Sequence, residues 1–230
     1  MSHPRQPSPF KGVPCRYRAQ ARAGRLELDL YGIIGSDWFG EGITSKMISD
    51  SLKSAGNVST IQVNVNSPGG DVFEGRGIFN LLKDHKARVE IRVIAEAASA
   101  ASLIAMAGDQ VTMAEGALMM IHRASGMAYG NADEIRQLIK LLETVDDTMV
   151  ATYAARSRNT PEQVRAWLDA ETWMTADEAV ARGFADQADE PAKVAALAID
   201  RSLLGFKHVP KALRPNRARA LEIIAGGKNA

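Results

Sequence analysis

Four features of this sequence could together perform acyl-transfer chemistry: a serine among small residues, a histidine ending an apolar run, a late pair of carboxylates and a double glycine in a turn. Ser99 lies in Ile94-Ala95-Glu96-Ala97-Ala98-Ser99-Ala100-Ala101-Ser102, at a predicted strand-to-helix junction. Flanks with almost no side chain let a substrate backbone approach, and the free N–H groups of a helix start favour negative charge. Taken alone, the segment fits a helix-capping serine better, because serine is a common N-cap. The histidines are His3, His85, His122 and His208. His3 and His208 fall in or beside the tails, and His85 sits in the charged stretch Lys83-Asp84-His85-Lys86. His122 closes the apolar run Leu118-Met119-Met120-Ile121. That placement suits a general base, and it suits a hydrogen-bonded core histidine equally well.

A carboxylate would complete the set by fixing the histidine tautomer. Asp169-Ala170-Glu171 offers two; spacing does not choose between them, and a solvated acidic loop is the plainer account of either. Asn66-Ser67-Pro68-Gly69-Gly70-Asp71 follows a β-branched run, so its glycine amides could face a developing oxyanion. A plain turn or a phosphate cradle would look the same, although neither GxGxxG nor GxxxxGK[ST] occurs.

The elements that must position these residues alternate in type. Residues 25–31 (RLELDLY) alternate apolar and polar side chains, as a half-buried strand does, and 60–65 (TIQVNV) and 89–95 read as further strands. Helical spacing marks 44–53 and 72–84, and 97–107 reads as a helix of small residues. Short strands follow at 111–113 and 118–121. From Asn131, the series Ile135, Leu138, Ile139, Leu142, Val145, Met149 and Tyr153 predicts one long amphipathic helix. Thr160-Pro161-Glu162 starts another, and Thr175-Ala176-Asp177-Glu178 has capping-box form with Gly183 closing it. The β-α order predicts an α/β fold with mainly parallel strands and a site at their C-terminal edge.

The chain has 230 residues, 46% hydrophobic and 24% charged, with net charge +1. This suits one sizeable domain and gives no reason to expect nucleic acid or an anionic membrane as a partner. The single cysteine, Cys15, forms no internal disulfide and fits a reducing cytoplasm. The longest small-apolar run, 97–107, is too short to span a membrane, and the basic start lacks the apolar core of a secretory signal. Residues 1–24 are expected to form a flexible tail, 25–190 the folded domain and 191–230 a basic extension.

In this order, NSPGG at 66–70, AASAAS at 97–102, the AG pair at 107–108, MMIH at 119–122 and ETWMTADEAVARGFAD at 171–186 resemble the Clp protease proteolytic-subunit family (ClpP). The resemblance covers about 26–186. It implies a ClpP/crotonase-like α/β fold and a serine endopeptidase, with Ser99 as nucleophile, His122 as base and Glu171 as the third member. The typical family member has Asp at that last position, and Asp169 is the fallback. The backbone N–H groups of Gly70 and Ala100 would form the oxyanion hole, with no cofactor or metal.

The resemblance further implies a homo-oligomer of two stacked seven-membered rings, the long helix after 130 forming the handle that joins them. Partners would be polypeptide substrates, with an AAA+ ATPase or capsid and scaffold proteins beside them. The wording of AASAAS and ETWMTADEA is most like phage or prophage members, which are associated with head maturation. Three other accounts share the fold: a Ser–Lys protease of the signal-peptide-peptidase kind, a catalytically idle oligomeric scaffold, and an acyl-CoA enzyme of the crotonase kind. The absent membrane segment and the placement of His122 oppose the first, and intact Ser99 and His122 oppose the second.

Overall fold

The computed structural model describes residues 15–36, 42–189 and 206–210. Its elements are β1 (Arg16–Arg22), β2 (Arg25–Tyr31), α1 (Ser45–Ala55), β3 (Thr60–Ser67), α2 (Val72–Lys83), β4 (Arg88–Ala98), α3 (Ala100–Ala105), β5 (Gln110–Met113) and β6 (Leu118–Ile121). They continue with α4 (Ala132–Ser157), α5 (Pro161–Asp169), β7 (Thr172–Thr175), α6 (Ala176–Ala181) and β8 (Gln187–Ala188).

One sheet runs β1-β2-β3-β4-β5-β8, with β2 through β8 parallel and β1 antiparallel at the edge. Alternation in the strands produces two unlike faces. Leu26, Leu28, Leu30, Ile61, Val63, Val65, Val89, Ile91 and Val93 are buried on one side, where removal of apolar surface from water drives the packing. On the other side Asn64 bridges Glu27 and Asp29, and Arg25 reaches Gln62 and Glu90.

Strand β4 forks the sheet. Its first half, Glu90 to Val93, pairs with β5, while Glu96, Ala97 and Ala98 pair with β6. Strand β6 in turn pairs antiparallel with β7. The fork carries the C-terminal ends of β3, β4 and β6 to one place, and the candidate residues follow directly from those ends.

Three segments differ from expectation. Ala97 and Ala98 stay in β4 because Ala97 is paired to Ser67 on one side and Met119 on the other; sheet pairing overrides alanine's helix preference. Helix α3 is therefore six residues long, where 97–107 was expected. Residues 16–22, expected in the N-terminal tail, form β1, a mostly exposed edge strand rich in arginine. Residues 206–210, expected in the C-terminal extension, include buried Phe206 and Val209. Residues 1–14, 190–205 and 211–230 lie outside the described residues.

Helix α4 starts at the expected Asn131, whose side chain and Glu134 form a reciprocal capping box. Its buried apolar side chains lie in the second half, at Val145, Met149, Val150 and Tyr153, while Leu138 and Leu142 are part-buried at the cleft. Ile135, Ile139 and Leu141 remain exposed. Among the described residues no helix is long and apolar enough to cross a membrane.

Candidate active site

Ser99 occupies the tight turn between β4 and α3, at φ 54 and ψ −124. A non-glycine residue there is strained and is held by its surroundings. Its N–H donates to the Met120 carbonyl at 2.9 Å, extending the β4–β6 ladder. Its carbonyl accepts from the Ser102 N–H at 3.0 Å and the Ser102 hydroxyl at 2.7 Å. The Ser99 side chain makes no capping bond, so the capping-serine account does not describe it. Instead Oγ lies 2.8 Å from Nε2 of His122. The two meet because they follow the ends of neighbouring parallel strands, in the register that pairs Ala98 with Met120.

The glycine turn presses against this serine. Gly69 adopts φ +95, and a Cβ there would lie 2.6 Å from the Ala98 carbonyl oxygen and 2.7 Å from Ser99 Cβ. At Gly70, with φ +145, a Cβ would come within 2.1 Å of the Ile34 carbonyl oxygen. Only glycine permits this approach. Ser67 Oγ accepts from the Gly69 N–H at 3.1 Å and steadies the turn. Gly70 and Ala100 both border the cleft that contains Ser99 and His122.

The two carboxylates separate. Antiparallel β6–β7 pairing sets Ile121 opposite Thr172, so Glu171 stands one register step on, beside His122. Asp169 ends α5, is half exposed, and lies 3.7 Å from Arg123. Glu171 is buried and has φ 48. Among the described residues no hydrogen bond joins it to His122. Its Oε2 accepts from the Lys207 N–H at 2.7 Å, and its Oε1 from the His208 N–H at 2.7 Å and Trp173 Nε1 at 3.4 Å. Glu171 therefore acts on His122 by charge through space.

Burial pushes the His122 pKa below its ordinary 6.5, while the charges of Glu171 and then Asp146 draw it back up. The ring is thus neutral at neutral pH, and Nε2 can take a proton from Oγ. Asp146, itself buried in α4, accepts from Arg123 Nε and from the Ala124 N–H, each at 2.7 Å. It thereby anchors the chain just after His122.

The cleft beside Ser99 measures about 280 Å³, and its lining includes the apolar Leu138, Leu142, Val145 and Met149 of α4 and Phe73 of α2. Among the described residues no cluster of histidine, cysteine or carboxylate side chains could hold a metal ion.

Residues 37–191 match the family model described as Clp protease. The chain belongs to the Clp protease family. Curated Clp relatives include the ATP-dependent Clp protease proteolytic subunit of Bacteroides fragilis, 30% identical over 129 residues, 55% of this chain and 62% of that protein. The subunit of the same name from Deinococcus radiodurans is 27% identical over 179 residues, 73% of this chain and 88% of that one. The chain thus spans somewhat under two thirds of the first of these. A solved ClpP1 mutant from Listeria monocytogenes superposes with TM-score 0.62 at 23% identity, covering 71% of this chain and 91% of its own. The fold is that of ClpP, an α/β architecture with a mixed sheet.

Several groups around this Clp-type centre escaped sequence reasoning. Ser102, besides its two bonds to the Ser99 carbonyl, shares a buried 2.9 Å hydrogen bond with the Tyr153 hydroxyl. Asp146 gave one usable signal, an acidic residue between Val145 and Met149 on the apolar stripe of α4. The contacts of Phe206, Lys207 and His208 with the site had no local signal, since 36 residues separate Lys207 from Glu171.

Proposed function

We propose that this chain is a serine endopeptidase that hydrolyses peptide bonds through Ser99, His122 and Glu171. The observation that carries the reading is the 2.8 Å contact between Ser99 Oγ and His122 Nε2, at a strained turn that offers the hydroxyl to an open cleft. His122 takes the Oγ proton as Oγ bonds to the substrate carbonyl carbon. The carbonyl oxygen becomes an oxyanion facing the N–H groups of Gly70 and Ala100, donors worth about 10²–10³ in rate apiece. Collapse breaks the C–N bond, and His122 gives its proton to the departing amine. Water, deprotonated by His122, then cleaves the acyl-enzyme ester and restores Ser99. Glu171 stabilises the imidazolium by its charge. Asp169, held outward near Arg123, has no part.

Membership in the Clp protease family supports this reading. The relatives' name, proteolytic subunit of an ATP-dependent protease, supports an AAA+ ATPase that delivers unfolded polypeptide. The exposed Ile135, Ile139 and Leu141 on α4 support assembly into two stacked seven-membered rings through this helix. The phage-like wording of AASAAS and ETWMTADEA supports capsid or scaffold proteins as substrates, cut in the cytoplasm of a host.

The test is labelling of the assembled protein by a fluorophosphonate probe, on the parent and on Ser99→Ala, Ser102→Ala and His122→Ala. Loss in Ser99→Ala and His122→Ala with retention in Ser102→Ala supports the mechanism. Labelling that survives His122→Ala points to a Ser–Lys dyad, and an unlabelled parent points to an idle scaffold.

A further inference from the structure

Beyond the family match, which ends at residue 191, the chain returns to the active centre. Residues 206–210 pack beside His122 through Phe206. Consecutive backbone amides of Lys207 and His208 each donate to one oxygen of Glu171, both at 2.7 Å. The Phe206 ring meets the His122 ring edge-on, with centroids 5.2 Å apart at 75°. It packs likewise on Trp173 of β7, 6.0 Å away at 77°. Phe206 and Val209 form a small apolar cluster with Ala98 of β4, which precedes Ser99, and Met120 of β6, two residues before His122.

These contacts differ in kind from a plug. None of residues 206–210 lines the cleft beside Ser99. The segment touches the base and the carboxylate. A carboxylate with an amide on each oxygen has little freedom to rotate, and an aromatic edge against an imidazole limits ring rotation and keeps water off that side. Glu171 has no hydrogen bond to His122 among the described residues; the β6–β7 register brings it beside the ring, and these amides, with Trp173 Nε1, hold its carboxylate there.

We infer that residues 206–210 are a positioning element of the active centre, in which the Lys207 and His208 amides fix Glu171 and the Phe206 ring fixes His122. The inference rests on the peptidase reading of Ser99 and His122. The element supplies from a distant part of the chain the restraint that a direct carboxylate–imidazole bond would otherwise give.

The test uses the full chain with Phe206→Ala, Phe206→Leu and Lys207→Pro, the last removing the amide that serves Glu171 Oε2. Two readouts are taken: the rate of fluorophosphonate labelling against pH, and the His122 titration by NMR of 13C-labelled histidine, assigned with His122→Gln. The charges acting on the ring are Glu171 and Asp146. Phe206→Ala is expected to slow labelling about tenfold to a hundredfold, the scale of a small misplacement of a reacting group. It also moves the His122 titration upward toward 6.5 as water reaches the ring. Phe206→Leu restores apolar cover and returns the titration toward the parent's. Lys207→Pro slows labelling with Phe206 in place.

A parent-like rate and titration in both Phe206→Ala and Lys207→Pro overturns the inference. If the parent is unlabelled but its His122 titration still shifts in Phe206→Ala, the contact stands and the peptidase reading is what fails. If the parent is unlabelled and the titration is fixed, both fail.

Discussion

The hydroxyls of Ser102 and Tyr153 lie 2.9 Å apart in a buried contact that ties α4 to the nucleophile turn. The Ser102 proton goes to the Ser99 carbonyl, so Tyr153 is the donor to Ser102. Burial pushes the Tyr153 pKa up to about 12, which keeps that donor protonated across the working range. The helix exposing Ile135, Ile139 and Leu141 is thus joined to the strained backbone of Ser99 by two hydrogen bonds.

Removing either hydroxyl should have unequal cost. Tyr153→Phe deletes a donor and leaves Ser102 bonded to Ser99, at about 0.5–1.5 kcal/mol. Ser102→Ala leaves the Tyr153 hydroxyl buried without its partner, at about 1–3 kcal/mol. The double variant is expected to cost less than the two singles combined, because the stranded donor is gone. Equilibrium denaturation at fixed protein concentration measures all three, and strict additivity would mean that the hydroxyls are not coupled.

Gly69→Ala should silence labelling while the fold persists. Its Cβ meets the Ala98 oxygen at 2.6 Å and Ser99 Cβ at 2.7 Å, at φ +95, so the nucleophile turn must move. A fall of about a hundredfold or more is expected. Gly116→Ala is the comparison: it has φ +74 with nothing within 4 Å. It costs about 1–2 kcal/mol of backbone strain and leaves the labelling rate unchanged. Equal labelling of the two variants would dissociate the glycine turn from the chemistry.

The pH profile follows from the state of His122. Its pKa lies below 6.5 because burial disfavours the charged ring, and the neutral ring is the base. Labelling should therefore rise as pH climbs through an inflection below 6.5 and stay level above it. Since the Glu171 charge raises the His122 pKa, Glu171→Gln should move the inflection further down and lower the plateau. An inflection above 6.5 in the parent would contradict this account.

Asp169→Asn should leave labelling within about twofold, because an exposed ion pair such as that with Arg123 contributes about 0–1 kcal/mol. Glu171→Ala should lower it by about 10²–10⁴. The reverse ranking would return the third position to Asp169.

Asp146→Ala tests the anchor after His122. It removes two 2.7 Å bonds from a buried carboxylate, one to Arg123 and one to the Ala124 amide. A loss of about 1–3 kcal/mol in stability is expected, with slower labelling as the chain after His122 loosens. Calorimetry and the probe assay read the two effects separately, and parent-like values in both would remove Asp146 from the site.

The sequence by itself determined the parts whose signals are local. Alternation in 25–31 and 60–65 marks strands because successive side chains point to opposite faces, and Asn131 with Glu134 marks a helix start because a capping box is complete within four residues. NSPGG, AASAAS and MMIH, in that order, led to the family and to Ser99 and His122. The tertiary structure decided what depends on pairing between distant segments. Ala97 and Ala98 are strand because Ser67 and Met119 flank them, against alanine's own preference. Glu171, which the resemblance named ahead of Asp169, stands beside the ring because β7 lies antiparallel to β6, and spacing along the chain carries no record of that register. The amides that hold Glu171 come from Lys207 and His208; backbone N–H groups are the same in every residue but proline, so no side-chain pattern could have announced them.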